Sequence, residues 1–269
     1  MSRARTENTL RNLAPRGILS GSDEAIFRVL PQSVLDNMRR ARDESALLWN
    51  ILYPRAHPGL SLQALLTPRP MWGSPADPGE EDELRPFFWG FAVSGERPPR
   101  LDESLEAVAG RDDLLENDLL LVGKRHLILV EAKHLGIAGT CGRYNNSRCP
   151  EVHRPGEPGC RYWMGAPGLF EDHFNFEAKP TPDTDRPPCF RHYQLARTLL
   201  LARDLSGRMG LIPHVWLIVP RRRWPEVRPV WLDFAERVRD DAMWRRLRVL
   251  SWEALQRLPL AGQRHAGCR

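Results

Sequence analysis

The stretch 117–133, NDLLLVGKRHLILVEAK, constrains this chain more than any other. Two apolar runs, 119–122 and 127–130, flank a Gly-Lys pair and read as the strands of a hairpin. Glycine in the first turn position is the type II′ pattern. The runs are continuous rather than alternating, so both faces of these strands must be covered, as at the centre of an α/β sheet. A two-residue turn pairs Val122 with Arg125. Asp118 then stands opposite Leu129 and diagonal to Glu131, on the same face. Glu131 and Lys133, two apart on one strand, share that face as well. Diagonal neighbours lie about 7–8 Å apart, a gap that one ion can bridge. A slip of one residue would turn Asp118 to the other face.

The rest of the chain supplies cover for such a sheet. Residues 33–53 carry Val34, Met38, Ala41, Leu48 and Leu52 at helical spacing, with Ser33 as cap and Pro54 as stop. A short aromatic strand is expected at 87–93. Beyond the hairpin, the pattern gives a helix at 192–205, a strand at 211–220, a helix at 230–246, a strand at 246–252 and a last helix at 253–258. That order predicts one α/β domain with a mixed sheet over 33–269, preceded by an N-terminal arm at 1–32. A Cys/Pro-rich insert at 139–190 interrupts it. One domain of this size buries a full core without disulfide staples. No apolar run approaches the length of a membrane span, and the basic N-terminus has no apolar stretch of the secretory kind. A cytoplasmic protein with no membrane partner is expected.

Asp118, Glu131 and Lys133 are the residue types that metal-assisted phosphodiester hydrolysis requires. A hard Mg²⁺ or Mn²⁺ ion takes carboxylate oxygens, a backbone carbonyl and waters. It lowers the pKa of a bound water and offsets charge building on the phosphate. A nearby ammonium steadies the nucleophile and the developing charge. Of 39 lysines and arginines, only Lys124, Lys133 and Lys179 are lysines. A lysine at the end of an apolar strand is therefore a departure from this chain's usual choice of cation.

Asp118 followed by Glu131-Ala132-Lys133 resembles the motif of the PD-(D/E)XK, or restriction-endonuclease-like, nuclease superfamily. The helix before the hairpin and the helix–strand elements after it resemble that superfamily too. Asn117 stands where the pattern often has proline. The resemblance implies a restriction-endonuclease-like mixed sheet flanked by helices. It also implies metal ligation by Asp118, Glu131 and the carbonyl of Ala132, with Lys133 orienting the nucleophile. Glu44, near the apolar edge of the first helix, matches a glutamate that often reaches the metal in such proteins; its other reading is a solvated charge. Gln194, in HYQLARTLLLA, resembles the glutamine of RecB-like and Cas4-like members. Those carry Gln-x-x-x-Tyr, whereas Thr198 fills the last place here.

Cys141, Cys149, Cys160 and Cys189 are separated by 7, 10 and 28 residues in a stretch dense in Pro, Gly and aromatics. A segment with so little regular core gains from a metal staple. A Cys₄ zinc site or an iron–sulfur cluster fits four thiolates, and His153 or His173 could replace one. Packed free thiols are the alternative. In Cas4-like nucleases, which carry an iron–sulfur cluster, the cysteines flank the core, whereas here all four follow the motif. Cys268 is left outside this set. The expected function is a Mg²⁺-dependent nuclease acting on DNA, in restriction, phage defence or repair. The alternatives are a catalytically silent protein of the same fold that binds nucleic acid or protein, and an RNA nuclease. The sequence leaves the oligomeric state open.

Overall fold

The computed structural model describes residues 15–56, 59–73, 82–110, 117–136, 139–154 and 159–258. Among the described residues six strands form one sheet in the order β1-β2-β3-β4-β5-β6. They are β1 Leu60–Ser61, β2 Glu83–Phe88, β3 Leu119–Val122, β4 His126–Ala132, β5 Ile212–Val219 and β6 Leu247–Ser251. Neighbours from β1 to β4 are antiparallel. Those from β4 to β6 are parallel. The helices are α1 Gln32–Asp36, α2 Glu44–Ala56, α3 Leu62–Leu66, α4 Leu101–Ala109, α5 Gly142–Asn145, α6 Leu169–His173, α7 Tyr193–Met209, α8 Trp224–Glu236, α9 Asp241–Trp244 and α10 Trp252–Gln256. The chain is thus α/β, with a mixed sheet flanked by helices. Among the described residues no helix is long and apolar enough to cross a membrane.

The continuous apolar runs have the cover they require. Leu120, Leu127 and Leu129 pack with α4, α7 and α8 in one core. Leu119, Leu121, Ile128 and Val130 pack in a second core on the other face, with α2, α3 and α10. The described part of the N-terminal arm belongs to this second core. Ile26 and Phe27 are buried there, so residues 15–32 are not detached from the domain.

The hairpin register differs from the expected one. Val122 pairs with Leu127, not Arg125. The cause lies outside the hairpin. Asp82 reaches into the turn and accepts from the backbone N–H groups of Lys124, Arg125 and His126 at 2.9, 2.9 and 3.1 Å. Gly123 allows this approach, because a Cβ there would stand 2.1 Å from Asp82 Oδ2. The shift is two residues, so every side chain keeps its face. Asp118 moves from diagonal to a place opposite Glu131.

Three other boundaries are corrected. The single helix expected at 33–53 is broken between α1 and α2. Gly17 N–H takes the carbonyl of Met38, and the Asp43 carboxylate accepts from Arg40 N–H at 2.9 Å, which closes a turn there. The strand expected at 87–93 ends at Phe88, where Trp89 and Gly90 take positive φ and Phe91 folds back beside Phe88. The helix expected at 230–246 is two helices. Pro225 opens α8, and Asp240 caps α9 through Ala242 and Met243 N–H.

A buried histidine pair crosses the parallel β4–β5 seam. His126 Nδ1 and His214 Nε2 are 3.0 Å apart. Burial, then the His126 ring and Arg248, push His214 down to about 3. The unfolded chain therefore takes up a proton near pH 6.5 that the folded chain refuses until about pH 3. Stability is full above that window and falls as pH drops through it, by up to about 1.4 kcal/mol per pH unit for one such proton. Urea unfolding between pH 6.5 and 4.5 checks this. Replacing both rings by phenylalanine should flatten the slope.

Candidate active site

The carboxyl end of β4 brings together side chains from both faces of the sheet. Asp118 precedes β3 and Glu131 lies within β4, on the face covered by α7. Glu44 is the first residue of α2, from the other layer. Lys133 Nζ stands among all three. It is 3.2 Å from Glu44 Oε1, 3.8 Å from Asp118 Oδ2 and 3.8 Å from Glu131 Oε2. Its backbone is clamped as well. Lys133 N–H donates to Ile218 O at 2.8 Å, and Trp252 Nε1 donates to Lys133 O at 2.9 Å.

Each carboxylate is held in a different way. Asp118 Oδ2 accepts from Ala132 N–H at 2.8 Å, which ties β3 to β4 across the hairpin. Glu44 Oε2 accepts from His134 N–H at 2.7 Å and leaves Oε1 to Lys133. Glu131 is buried. Its Oε1 accepts from Asn117 Nδ2 and Thr198 Oγ1, both at 2.6 Å, and its Oε2 accepts from Gln194 Nε2. A carboxylate offers about four lone-pair sites, so three donors leave Glu131 capacity for a further partner. Gln194 is itself fixed, because its Oε1 accepts from Gly139 N–H at 2.6 Å.

The electrostatics follow from three carboxylates facing one ammonium. Burial, then the Glu131 carboxylate, push Asp118 up to about 7, against the pull of Lys133 and the Ala132 N–H. Burial works against the Lys133 ammonium, but Asp118, Glu131 and Glu44 outweigh it and raise Lys133 above its ordinary value. The site holds more negative charge than its own cation offsets. Its donors are all hard oxygens, the set a divalent Mg²⁺ or Mn²⁺ selects.

Asn117, Thr198 and Trp252 hold the site without having been assigned a role from sequence. Asn117 and Thr198 are the two places where the sequence departs from the motif pattern, and both grip Glu131. The Gln194–Thr198 spacing of four residues puts both side chains on one helical face, a signal that was present. Nothing local marks Trp252, which reaches Lys133 from the start of α10.

The four cysteines lie elsewhere. Cys141, Cys149, Cys160 and Cys189 line one cavity of about 30 Å³, beside Tyr144, Tyr162, Trp163, Phe190 and Tyr193. All four are free thiols. Burial pushes Cys160 up to about 11 and Cys189 up to about 12. His153 Nδ1 accepts from Cys149 N–H at 3.3 Å, and His173 faces a separate cavity with Leu200, Arg203 and Asp204. Cys268 lies outside the described residues. Among the described residues no three His, Cys, Asp or Glu side chains are drawn onto one point as a closed ion shell. The carboxylates are spread around Lys133 and the thiols around their cavity. Arg223, after β5, donates to Leu135 O and pairs with Glu226 at 2.6 Å; Arg221 and Arg222 are exposed. No family model, curated protein or solved structure matches this chain.

Proposed function

We propose that this chain is a divalent-metal-dependent nuclease that hydrolyses phosphodiester bonds in DNA. The observation that carries the reading is the convergence of Glu44, Asp118 and Glu131 on Lys133 at the end of a buried strand. The sequence order α2, then β2–β3–β4, then α7 and β5 supports the resemblance to the restriction-endonuclease-like fold. Asp118, Glu131 and the Ala132 carbonyl would hold Mg²⁺ or Mn²⁺, with Glu44 beside them. When bound, the ion supplies Lewis acidity and a water acidic enough to ionise near neutral pH.

The chain's own residues set the geometry for that chemistry. Asn117, Thr198 and Gln194 fix Glu131 in one orientation, so the ligand is preorganised rather than recruited. Glu44 holds the Lys133 ammonium from the α2 side. That places one fixed positive charge beside the carboxylates, where a phosphate oxygen or a nucleophile can meet it. A net charge of +5 favours a polyanionic partner.

Incubation of purified protein with Mg²⁺ or Mn²⁺ on supercoiled plasmid, linear duplex, single-stranded DNA and RNA tests the reading. Cleavage of a DNA substrate that EDTA stops is expected. Cleavage of RNA alone, or of nothing, overturns it.

A further inference from the structure

Well-packed interiors leave few voids larger than a water molecule, and about 10–15 Å³ of the same measure already admits one. The cavity among the four cysteines holds about 30 Å³. Its walls are mostly aromatic and apolar, so it is ill suited to hold water. Besides rings, prolines, Ala109, Arg143 and Arg161, it is bordered by four cysteines, brought there from separate turns of a segment whose helices are only one turn long.

One sulfur is also met by a side-chain donor. The Trp163 indole N–H lies 3.5 Å from Cys189 Sγ. Donors aimed at sulfur stabilise thiolates far more than neutral thiols. They are also the outer contacts that fix ligands around a metal. Thiols that merely packed as small apolar groups would need neither the space nor the indole donor.

We infer that Cys141, Cys149, Cys160 and Cys189 form a four-thiolate centre for a soft transition metal, and that this centre fixes the first turn of α7. Zinc and iron–sulfur clusters are both held by cysteine thiolates. The route to α7 is short. Cys141 N–H donates to Phe190 O at 3.0 Å, which closes the segment on the residue after Cys189. Gly139, two residues before Cys141, donates to Gln194. Tyr193 lines the cavity, and its neighbour Gln194 grips Glu131. The metal centre is thus a positioning element for the carboxylate site, and its consequence for cleavage rests on the nuclease reading.

The test is metal and acid-labile sulfide analysis of the full-length protein purified without oxygen, with zinc or iron and sulfide added to any empty protein. About one zinc per chain, or iron with matching sulfide, is the expected content. Cys160→Ser and Cys189→Ser should lose nearly all of it, and Cys268→Ser should keep it. Hydrogen exchange at 139–141 and 193–195 should speed up in the metal-depleted wild-type chain. Wild-type protein that binds neither zinc nor a reconstituted cluster overturns the centre. Unchanged exchange overturns its positioning role. Neither readout needs nuclease activity, so a protein that carries the metal but cuts nothing would defeat the nuclease reading alone.

Discussion

Alanine at Asp118 or at Glu131 should abolish DNA cleavage while the fold survives. Both carboxylates face a hard divalent ion in this account, and an ion's hold on developing charge is worth several kcal/mol. A loss of roughly 10³-fold or more follows from that energy. The stability response separates this from a structural explanation. Asp118 is mostly buried, with 19% of its side chain exposed, and titrates near 7 instead of 3.8. The folded chain therefore holds that proton more tightly than the unfolded chain. Stability from this group is present below pH 3.8 and is lost as pH rises to about 7. Asp118→Asn keeps an oxygen for the Ala132 N–H and removes the charge. At pH 8 in EDTA it should melt higher than wild type, by about 2–4 °C for each kcal/mol recovered, yet cut nothing. Thermal unfolding and plasmid cleavage on the same preparations check both halves.

Lys133→Arg should fail to restore cleavage although it keeps the charge. The ammonium is a compact charge on a flexible stem, whereas guanidinium is planar and wider. Lys133 has 11% of its side chain exposed and is surrounded by Glu44, Asp118 and Glu131. Arginine cannot enter that space without displacing a carboxylate. Losing one charged transition-state contact typically costs about 2.7–4 kcal/mol, or roughly 10²–10³ in rate. Lys133→Ala should show a similar loss. Both variants should retain metal better than Glu131→Ala, because lysine donates no ligand. An arginine variant that cuts near the wild-type rate would reduce Lys133 to a structural counter-ion.

The sheet's centre was legible because its cause is local. Unbroken apolar runs must be covered on both faces, and β3 and β4 are. Asp118, Glu131 and Lys133 shared a face in the expected register and share it in the observed one, because the error was an even number of residues. The error itself came from Asp82, some 40 positions before the turn it organises, which no reading of the turn could include. The break at 37–43 has the same origin, since Gly17 is far from Met38 in sequence. The grip on Glu131 was only half legible. Gln194 stood out by its motif, but Thr198 departs from that motif and Asn117 from the proline position before Asp118, and their use appears only once α7 lies against β4. The cysteines were countable from sequence; that their four sulfurs face one cavity depends on how the turns between β4 and α7 fold.

That Asp118 and Glu131, with the Ala132 carbonyl, hold a divalent metal is the proposal on which the catalytic account depends. Direct titration of Mn²⁺ into the protein without nucleic acid, followed by the paramagnetic signal of the free ion, measures it. Wild type and Lys133→Ala should take up Mn²⁺ saturably, and Asp118→Ala and Glu131→Ala should lose that uptake. Wild-type protein that binds no Mn²⁺, or alanine variants that bind it as wild type does, would contradict the account.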